Sequence, residues 1–533
     1  MACIVRLGDN VETMDWWNIC YRDRHFLFWS LLFACAMFFL VSLGFPVQPG
    51  IDFSSYLNHF YHLSDEAMVY RTGGSSLLIG LISQQGYAFF VGSIVLLYLL
   101  FLVAVYGVAS PFGVTVARVT MVLMVLHVLL TTRMHFVDGD TVLIVGVAVW
   151  AWLAMWLLQN RSLLASGILG LSTVGLVLIK PTGLLFLGYG LYPLLCHGFS
   201  WLNFRRSLVF VVAGVVGVLG VATYNHVRYD RFMVADQANA TFPAISLFRT
   251  NHLFARENGP HSQRLFDLVQ VKLIDTPHYQ AHRIDIHTFF SRWDPVGWGD
   301  FSSLDRFDPG VIRKAALEAI ARHPGKFLLW SILYPGYQMF VATSLKEATV
   351  ERPFAARSDA AGAARPLPEG TSATIAGGKP PLLTVGYNSL PQIIAELNAD
   401  SLASQDPVRV REIQEVSGLL SRTDDYYHRS LHFYAAQLVE SLLTPVMPPM
   451  LLFLVLALFG LRRWRDPHLR ALLLMVLIAV VVVIFSSMVD VSARYRVPFD
   501  LLFILAGVVG LACSGLPAAM VRDVACSPLR SKG

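Results

Sequence analysis

The chain has 533 residues, of which 55% are apolar and only 14% charged, with a formal net charge of +5. Its mean hydropathy is +0.55. A soluble domain carries roughly 25% charged residues, and a chain this apolar has no aqueous fold that hides its surface. Composition therefore selects an integral membrane protein, and the small net charge carries no argument for nucleic acid.

In chain order, the strong apolar runs are 25–47, 88–109, 113–131, 140–158, 163–179, 182–197, 207–224, 447–461, 468–487 and 497–514. Each approaches the ~20 residues needed to cross the hydrocarbon, so the expected fold class is an all-α polytopic membrane protein with about ten or eleven spans. The first run has no small-residue cleavage site after it and reads as a retained signal anchor. Cys3, Cys20, Cys35, Cys196, Cys513 and Cys526 all lie outside the long polar segments, so no structural disulfide is expected.

Arginine placement gives the orientation. Arg6, Arg22, Arg24, Arg161, Arg205, Arg206, Arg462, Arg463, Arg465, Arg470, Arg522, Arg530 and Lys532 fall together on one side if the N-terminus is cytoplasmic. Loops near 48–87, 132–139 and 488–496, and the long segments 225–326 and 345–446, then face outward. Three sections follow: an N-terminal transmembrane module 1–224, outer-face segments 225–446, and a C-terminal transmembrane module 447–533. Within the middle section, the apolar run 327–344 reads as interfacial or re-entrant, given Pro324-Gly325 before it and Pro335-Gly336 inside it. A true span is the alternative and would require a compensating span near 429–446. Residues 225–326 are expected to form short helices on the membrane face. Residues 351–380, rich in Ala, Gly and Pro, are expected to form a mobile loop, and 406–421 has helical spacing.

Chemistry-bearing residues gather at the outward loops. Asp52 follows the first span in Pro49-Gly50-Ile51-Asp52-Phe53-Ser54-Ser55-Tyr56. A carboxylate there can take a proton from a hydroxyl nucleophile, or cap a short helix over 53–63. Arg494-Tyr495-Arg496 stands at the mouth of the last span, where guanidinium groups would bind phosphate or snorkel to headgroups. Lys180-Pro181-Thr182-Gly183 sets one lysine against the general bias of basic residues, facing an anionic ligand or a lipid headgroup. Arg133-Met134-His135-Phe136-Val137-Asp138-Gly139-Asp140 puts two acids and a histidine in a short loop. Its acids read as pocket groups or helix caps, and its lone histidine lacks zinc-like spacing. Asn239-Ala240-Thr241 is an outward sequon that matters only in a eukaryotic secretory setting.

These stretches, in this order, resemble the type C glycosyltransferases, in particular bacterial relatives of the protein O-mannosyltransferases and the lipid A aminoarabinose transferase. Asp52 followed by Tyr56 resembles the family's first-loop acid and tyrosine, and Tyr70-Arg71-Thr72-Gly73 its Tyr-Arg-Thr-Pro-like run. Lys180-Pro181-Thr182-Gly183 is similar to a basic-Pro-x-Gly hairpin that more often has Arg. Tyr224-Asn225 and Arg494-Tyr495-Arg496-Val497-Pro498 are similar to an aromatic-Asn run and an Arg-Tyr-x-x-Pro run. Asp52 lacks the acidic neighbour of the mannosyltransferases, and Gly73-Gly74-Ser75-Ser76 lacks the usual prolines.

The resemblance implies a type C glycosyltransferase-like helical bundle that moves a sugar, with inversion, from a polyprenyl-phosphate donor to an acceptor hydroxyl. The acceptor could be a glycan, a lipid or a protein. Asp52 would be the general base. Arg494, Arg496 and Lys180 would hold the donor phosphate, and Tyr56, Arg71, Asp138 and Tyr495 would shape the pocket. No cofactor is implied, and no ligand set argues for a divalent metal. The implied location is a bacterial plasma membrane, with the site facing the periplasm. Two other classes stay open: a flippase or transporter of lipid-linked sugars, and a polymerase or ligase using undecaprenyl-diphosphate glycans. The near absence of charge inside the spans argues against the flippase.

Overall fold

A computed structural model describes residues 23–42, 47–50, 53–63, 71–158, 160–235, 253–277, 307–341, 448–488 and 493–514, with scattered positions in 244–289 and 407–418. Asp52, Asn239 and the 351–380 loop lie outside the described residues.

The protein is an all-α, multi-pass membrane protein. Six described helices are long and apolar enough to cross a membrane: α1 (Arg24–Ser42), α4 (Tyr87–Ala109, continued to Phe112), α7 (Gly139–Leu158), α10 (Trp201–Tyr229), α16 (Pro467–Ser487) and α17 (Asp500–Ser514, preceded by a turn from Val497). A seventh is α5 (Val114–Val125) with α6 (Val128–His135), a pair bent by 56°. The sequence predicts about ten, and the remaining runs are shorter elements. These are α8 (Leu163–Ile179), a 3-10 run Pro181–Leu191 leading into α9 (Tyr192–His197), and α15 (Met450–Gly460). The 3-10 run is 11 residues long, far beyond the usual three or four. At ~2.0 Å per residue it and α9 together reach about 31 Å, close to the hydrocarbon thickness.

Contacts sort the connecting loops onto two faces. On one, Asp23 pairs with Arg118, Phe112 meets His468, Arg206 reaches Asn160 O, and Arg470 reaches Leu195 O. This is the arginine-rich face. On the other, Ser42 bonds His135, Tyr87 bonds Val47 O, Lys180 pairs with Asp140, and Lys180 lies over Tyr495. Consecutive elements alternate between these faces, as the basic-residue pattern predicts.

Small residues set the closest helix approaches. A β-carbon on Gly510 of α17 would overlap Leu456 O of α15, and one on Gly507 would lie 2.6 Å from Phe453 Cδ1. Gly170 of α8 meets Phe210 O of α10 in the same way. In lipid, where apolar burial drives little association, such close contact supplies the packing energy.

The 48–87 loop, on the face opposite the arginine-rich one, is more structured than expected. It contains a two-residue strand β1 (Gln48–Pro49), α2 (Phe53–Phe60) and the apolar α3 (Gly73–Ser83). β1 pairs in parallel with β2 (Phe136–Val137), matching Gln48 with Phe136. Beyond α10, α11 (Pro260–Val269) packs on α12 (Pro309–Arg322) around a separate apolar core that includes Leu265, Val269, Ile312 and Ala315. Glu318 of α12 accepts from the backbone N of His261 (3.0 Å) and Ser262 (2.7 Å), tying it to the first turn of α11. The 327–344 run is helical through Val341: α13 (Pro324–Phe327), a π-turn (Leu328–Leu333) and α14 (Tyr334–Val341). Gly336 lies beside Ile484 and Phe340 beside Phe503, while Leu328, Leu329, Trp330 and Leu333 stay exposed.

Candidate functional site

At the face opposite the arginine-rich loops, four stretches of chain meet. The first is the α6–α7 junction. Asp138 Oδ1 accepts from Asp140 N at 2.8 Å and Thr141 N at 3.3 Å, capping α7. Asp138 Oδ2 pairs with Arg133. Asp138 is 1% exposed, so its carboxylate braces the junction and does not stand open in the pocket. Arg133 also reaches Asp140 at 3.3 Å.

The second stretch is the end of α8, where Lys180 pairs with Asp140. The third precedes α17. There Arg494 sits over the Tyr495 ring at 4.6 Å, and Lys180 Nζ approaches the other residue of this pair, lying 5.0 Å from the Tyr495 centroid. Arg494 is close enough to act electrostatically on Asp140. The fourth stretch is the 48–87 loop. Gly50 N donates to Val137 O at 2.9 Å, and a β-carbon on Gly50 would fall 2.7 Å from Asp138 Oδ2. A β-carbon on Gly139 would overlap the Tyr56 hydroxyl. Arg71 covers the Tyr56 ring at 5.1 Å and donates to Ser55 Oγ at 2.8 Å. Thr72 and Ser75 both bond Ile179 O at 2.8 Å, docking α3 beside Lys180.

Tyr56, Arg71, Asp138, Lys180, Arg494 and Tyr495 are therefore drawn to one rim. Arg133, to which sequence reasoning assigned no pocket role, and Asp140, read there as a pocket group or a helix cap, are central to it. The signal for them was the short loop with two acids, a cation and almost no polar company. Arg496 behaves differently. It is 1% exposed, its Nε donates to Asp500 Oδ1 at 2.9 Å, and its Nη1 donates to Met339 O. Asp500 in turn meets His127 Nε2 at 2.9 Å. The guanidinium is thus occupied by an internal carboxylate, and the expected phosphate contact from Arg496 gives way to a structural pair. Asp52 lies outside the described residues.

His135 does not join the acids of its own loop. Its Nδ1 faces Thr131 O at 2.6 Å and its Nε2 faces Ser42 Oγ at 2.8 Å. His127 sits at the 56° break between α5 and α6. Its Nδ1 accepts from Leu130 N at 3.4 Å, which leaves Nε2 to carry the proton toward Asp500.

Beside the rim, a cavity of about 580 Å³ runs between α3, α8 and α10. Arg71, His59 and Asn225 line its polar end, and Leu77, Leu178 and Gly220 its apolar part. A β-carbon on Gly220 would meet open space. The volume falls in the range of small-molecule sites. The rim supplies Lys180, Arg133 and Arg494 against Asp138 and Asp140, an excess of one positive charge among these five. Such a rim can neutralise one anionic group held between water and lipid.

No family model matches the chain, and neither does any curated protein or solved structure.

Proposed function

We propose that this protein is a membrane glycosyltransferase with a type C-like bundle, moving a sugar from a polyprenyl-phosphate donor to an acceptor hydroxyl. The observation that carries the reading is the convergence of Lys180, Arg494 and Arg71 with Tyr56 and Tyr495 on one rim, beside a cavity that is polar at one end and apolar along its length. A lipid phosphate needs both parts at once. Its charge requires cations, and its tail requires an apolar path between helices.

Asp52 is the proposed general base. It lies two residues after Gly50, which touches Asp138, and directly before buried Phe53. The acceptor hydroxyl loses its proton to the Asp52 carboxylate as its oxygen attacks the anomeric carbon. The bond from that carbon to the phosphate oxygen breaks, and the phosphate leaves with the electron pair. Lys180 and Arg494 offset the charge that grows there. Configuration at the anomeric carbon inverts. We place the site on the periplasmic side of a bacterial plasma membrane, because the opposite face holds the arginine-rich loops.

A second reading, translocation of a lipid-linked sugar, is favoured by one observation: the break in α5–α6 carries the buried His127–Asp500–Arg496 link. Buried ionisable groups at broken helices are common in transporters.

The test is transfer by purified protein from synthetic polyprenyl-phosphate sugars. Asp52→Asn should lower the rate ~100- to 10,000-fold, as loss of a general base does, with insertion unchanged. Wild-type transfer by Asp52→Asn sinks the base assignment. Movement of a lipid-linked sugar across vesicles, with no release of polyprenyl phosphate, would select the second reading.

A further inference from the structure

The arginine-rich face contains a charge with no counter-charge among the described residues. Arg206, in the second turn of α10, is 0% exposed and, with Arg496, is one of the two largest fully buried side chains among the described residues. No carboxylate pairs with it among the described residues. Its partners are neutral and distant: Asn203 Oδ1 at 3.3 Å, Asn160 O at 3.4 Å, the Tyr192 hydroxyl at 3.5 Å and the face of the Tyr192 ring, 5.6 Å from the guanidinium carbon to the centroid. Ordinary N–H···O bonds span roughly 2.7–3.2 Å. Its Nε is buried with no partner. A buried guanidinium left in this state is strongly unfavourable unless an anion joins it.

The surroundings add a second guanidinium, and the nearest acid is engaged elsewhere. Arg470 donates to Leu195 O at 2.6 Å and keeps a buried Nε without a partner. His197 Nε2 is likewise buried with no hydrogen bond of ordinary geometry, and the ring lies near the Leu158 backbone carbonyl. Arg161, Arg206 and Arg470 all act electrostatically on His197. Asp466, which acts on the neighbouring Cys196, is committed to His468: it accepts from His468 N at 2.9 Å and faces its Nδ1 at 3.5 Å. Directly alongside, Phe199, Trp201 and Leu202 are exposed, and Arg205 lies over the Trp201 ring at 4.9 Å. Exposed aromatic residues with an arginine at a span's end mark the membrane–water interface.

We propose that Arg206, Arg470 and His197 form a site for one phosphate group, supplied by the headgroup of an anionic glycerophospholipid in the leaflet at this face. The phosphate would accept from Arg206 Nε and Arg470 Nε, completing donors that the protein leaves unsatisfied. This site is separate from the rim of the proposed transfer reaction and does not depend on that reading.

The test uses the full chain in nanodiscs of phosphatidylcholine, whose phosphate is neutralised by its own choline, with and without phosphatidylglycerol, whose phosphate has no internal cation. Native mass spectrometry counts retained lipid, and thermal melting gives the midpoint. Wild type should retain one phosphatidylglycerol and melt higher in its presence. Arg206→Met should retain it at least about tenfold more weakly, the scale of one lost charge-assisted bond. In pure phosphatidylcholine it should melt no lower than wild type, because a buried unpaired charge has gone. Arg470→Ala, at a half-exposed side chain, should show the same loss of retention and serves if Arg206→Met fails to insert. Undiminished retention in both variants, or a midpoint for Arg206→Met that falls equally in both lipids, overturns the proposal. Inorganic phosphate is the second probe. If it raises the wild-type midpoint in phosphatidylcholine where phosphatidylglycerol does not, the lipid source is overturned in favour of a water-borne anion.

Discussion

Removing Lys180 tests the rim most directly. The Asp140 side chain is 3% exposed and has two counter-charges, Lys180 and Arg133. Arg133 is already shared with Asp138, so Lys180→Met leaves Asp140 under-compensated in a buried place. Breaking a buried pair costs about 3–5 kcal/mol. The Lys180 side chain is 17% exposed and Arg133 remains, which puts the expected cost near the lower end, at about 3 kcal/mol. Asp140→Asn frees a lysine that can turn toward water, at a cost of about 1–2 kcal/mol. The double variant removes both charges and should cost less than the sum, with a coupling of about 2 kcal/mol. Reversible unfolding in mixed micelles measures all three. In the transfer assay, the double variant should regain stability without regaining activity, because the phosphate still lacks its cation. Costs that add to within about 0.5 kcal/mol would show that the two side chains do not act as a pair and would refute the reasoning.

Further predictions follow from the same contacts. Gly220→Leu projects into open cavity space, so it should slow transfer from long-chain donors more than from short-chain analogues while leaving the melting midpoint unchanged; equal slowing of both donors counts against a tail path there. Gly139→Ala should push Tyr56 from its seat and lower both transfer and stability, the latter by about 1–3 kcal/mol, measured by the same assays. Glu318 titrates below its ordinary value of 4.5. Burial raises it, but bonds from His261 N, Ser262 N and the Ser262 hydroxyl outweigh the effect of burial. Because its folded value is depressed, its contribution to the α11–α12 unit is complete above about pH 4.5 and is lost as pH falls through the folded value. Hydrogen exchange in α11 should therefore accelerate on acidification, and Glu318→Gln should flatten that dependence.

Local chemistry accounts for what was legible before folding. Apolar runs announced membrane residence, because transfer into lipid sums over a segment without regard to its neighbours. Arginine placement gave the alternation of loops for the same reason. The outward acids and cations were visible as departures from an otherwise uncharged chain, and Tyr56, Arg71, Lys180, Arg494 and Tyr495 do meet at one rim. The difference between Arg494 and Arg496 was not legible, since two arginines two residues apart look equivalent until one finds Asp500 and Met339 O. The near absence of charge inside the spans was likewise an overstatement, because averaged hydropathy hides His127, whose partner Asp500 lies 373 residues away.

Sequence by itself determined the solvent of this protein, the order of its membrane elements and the faces on which its charges collect. Tertiary structure decided which charges neutralise each other and which remain for a ligand. Asp140 takes up Lys180 and Arg133, Asp500 takes up Arg496, and Arg206 is left without an acid among the described residues. Hydropathy is a property of single segments, whereas the balance of a buried charge depends on what distant segments bring within a few ångströms of it.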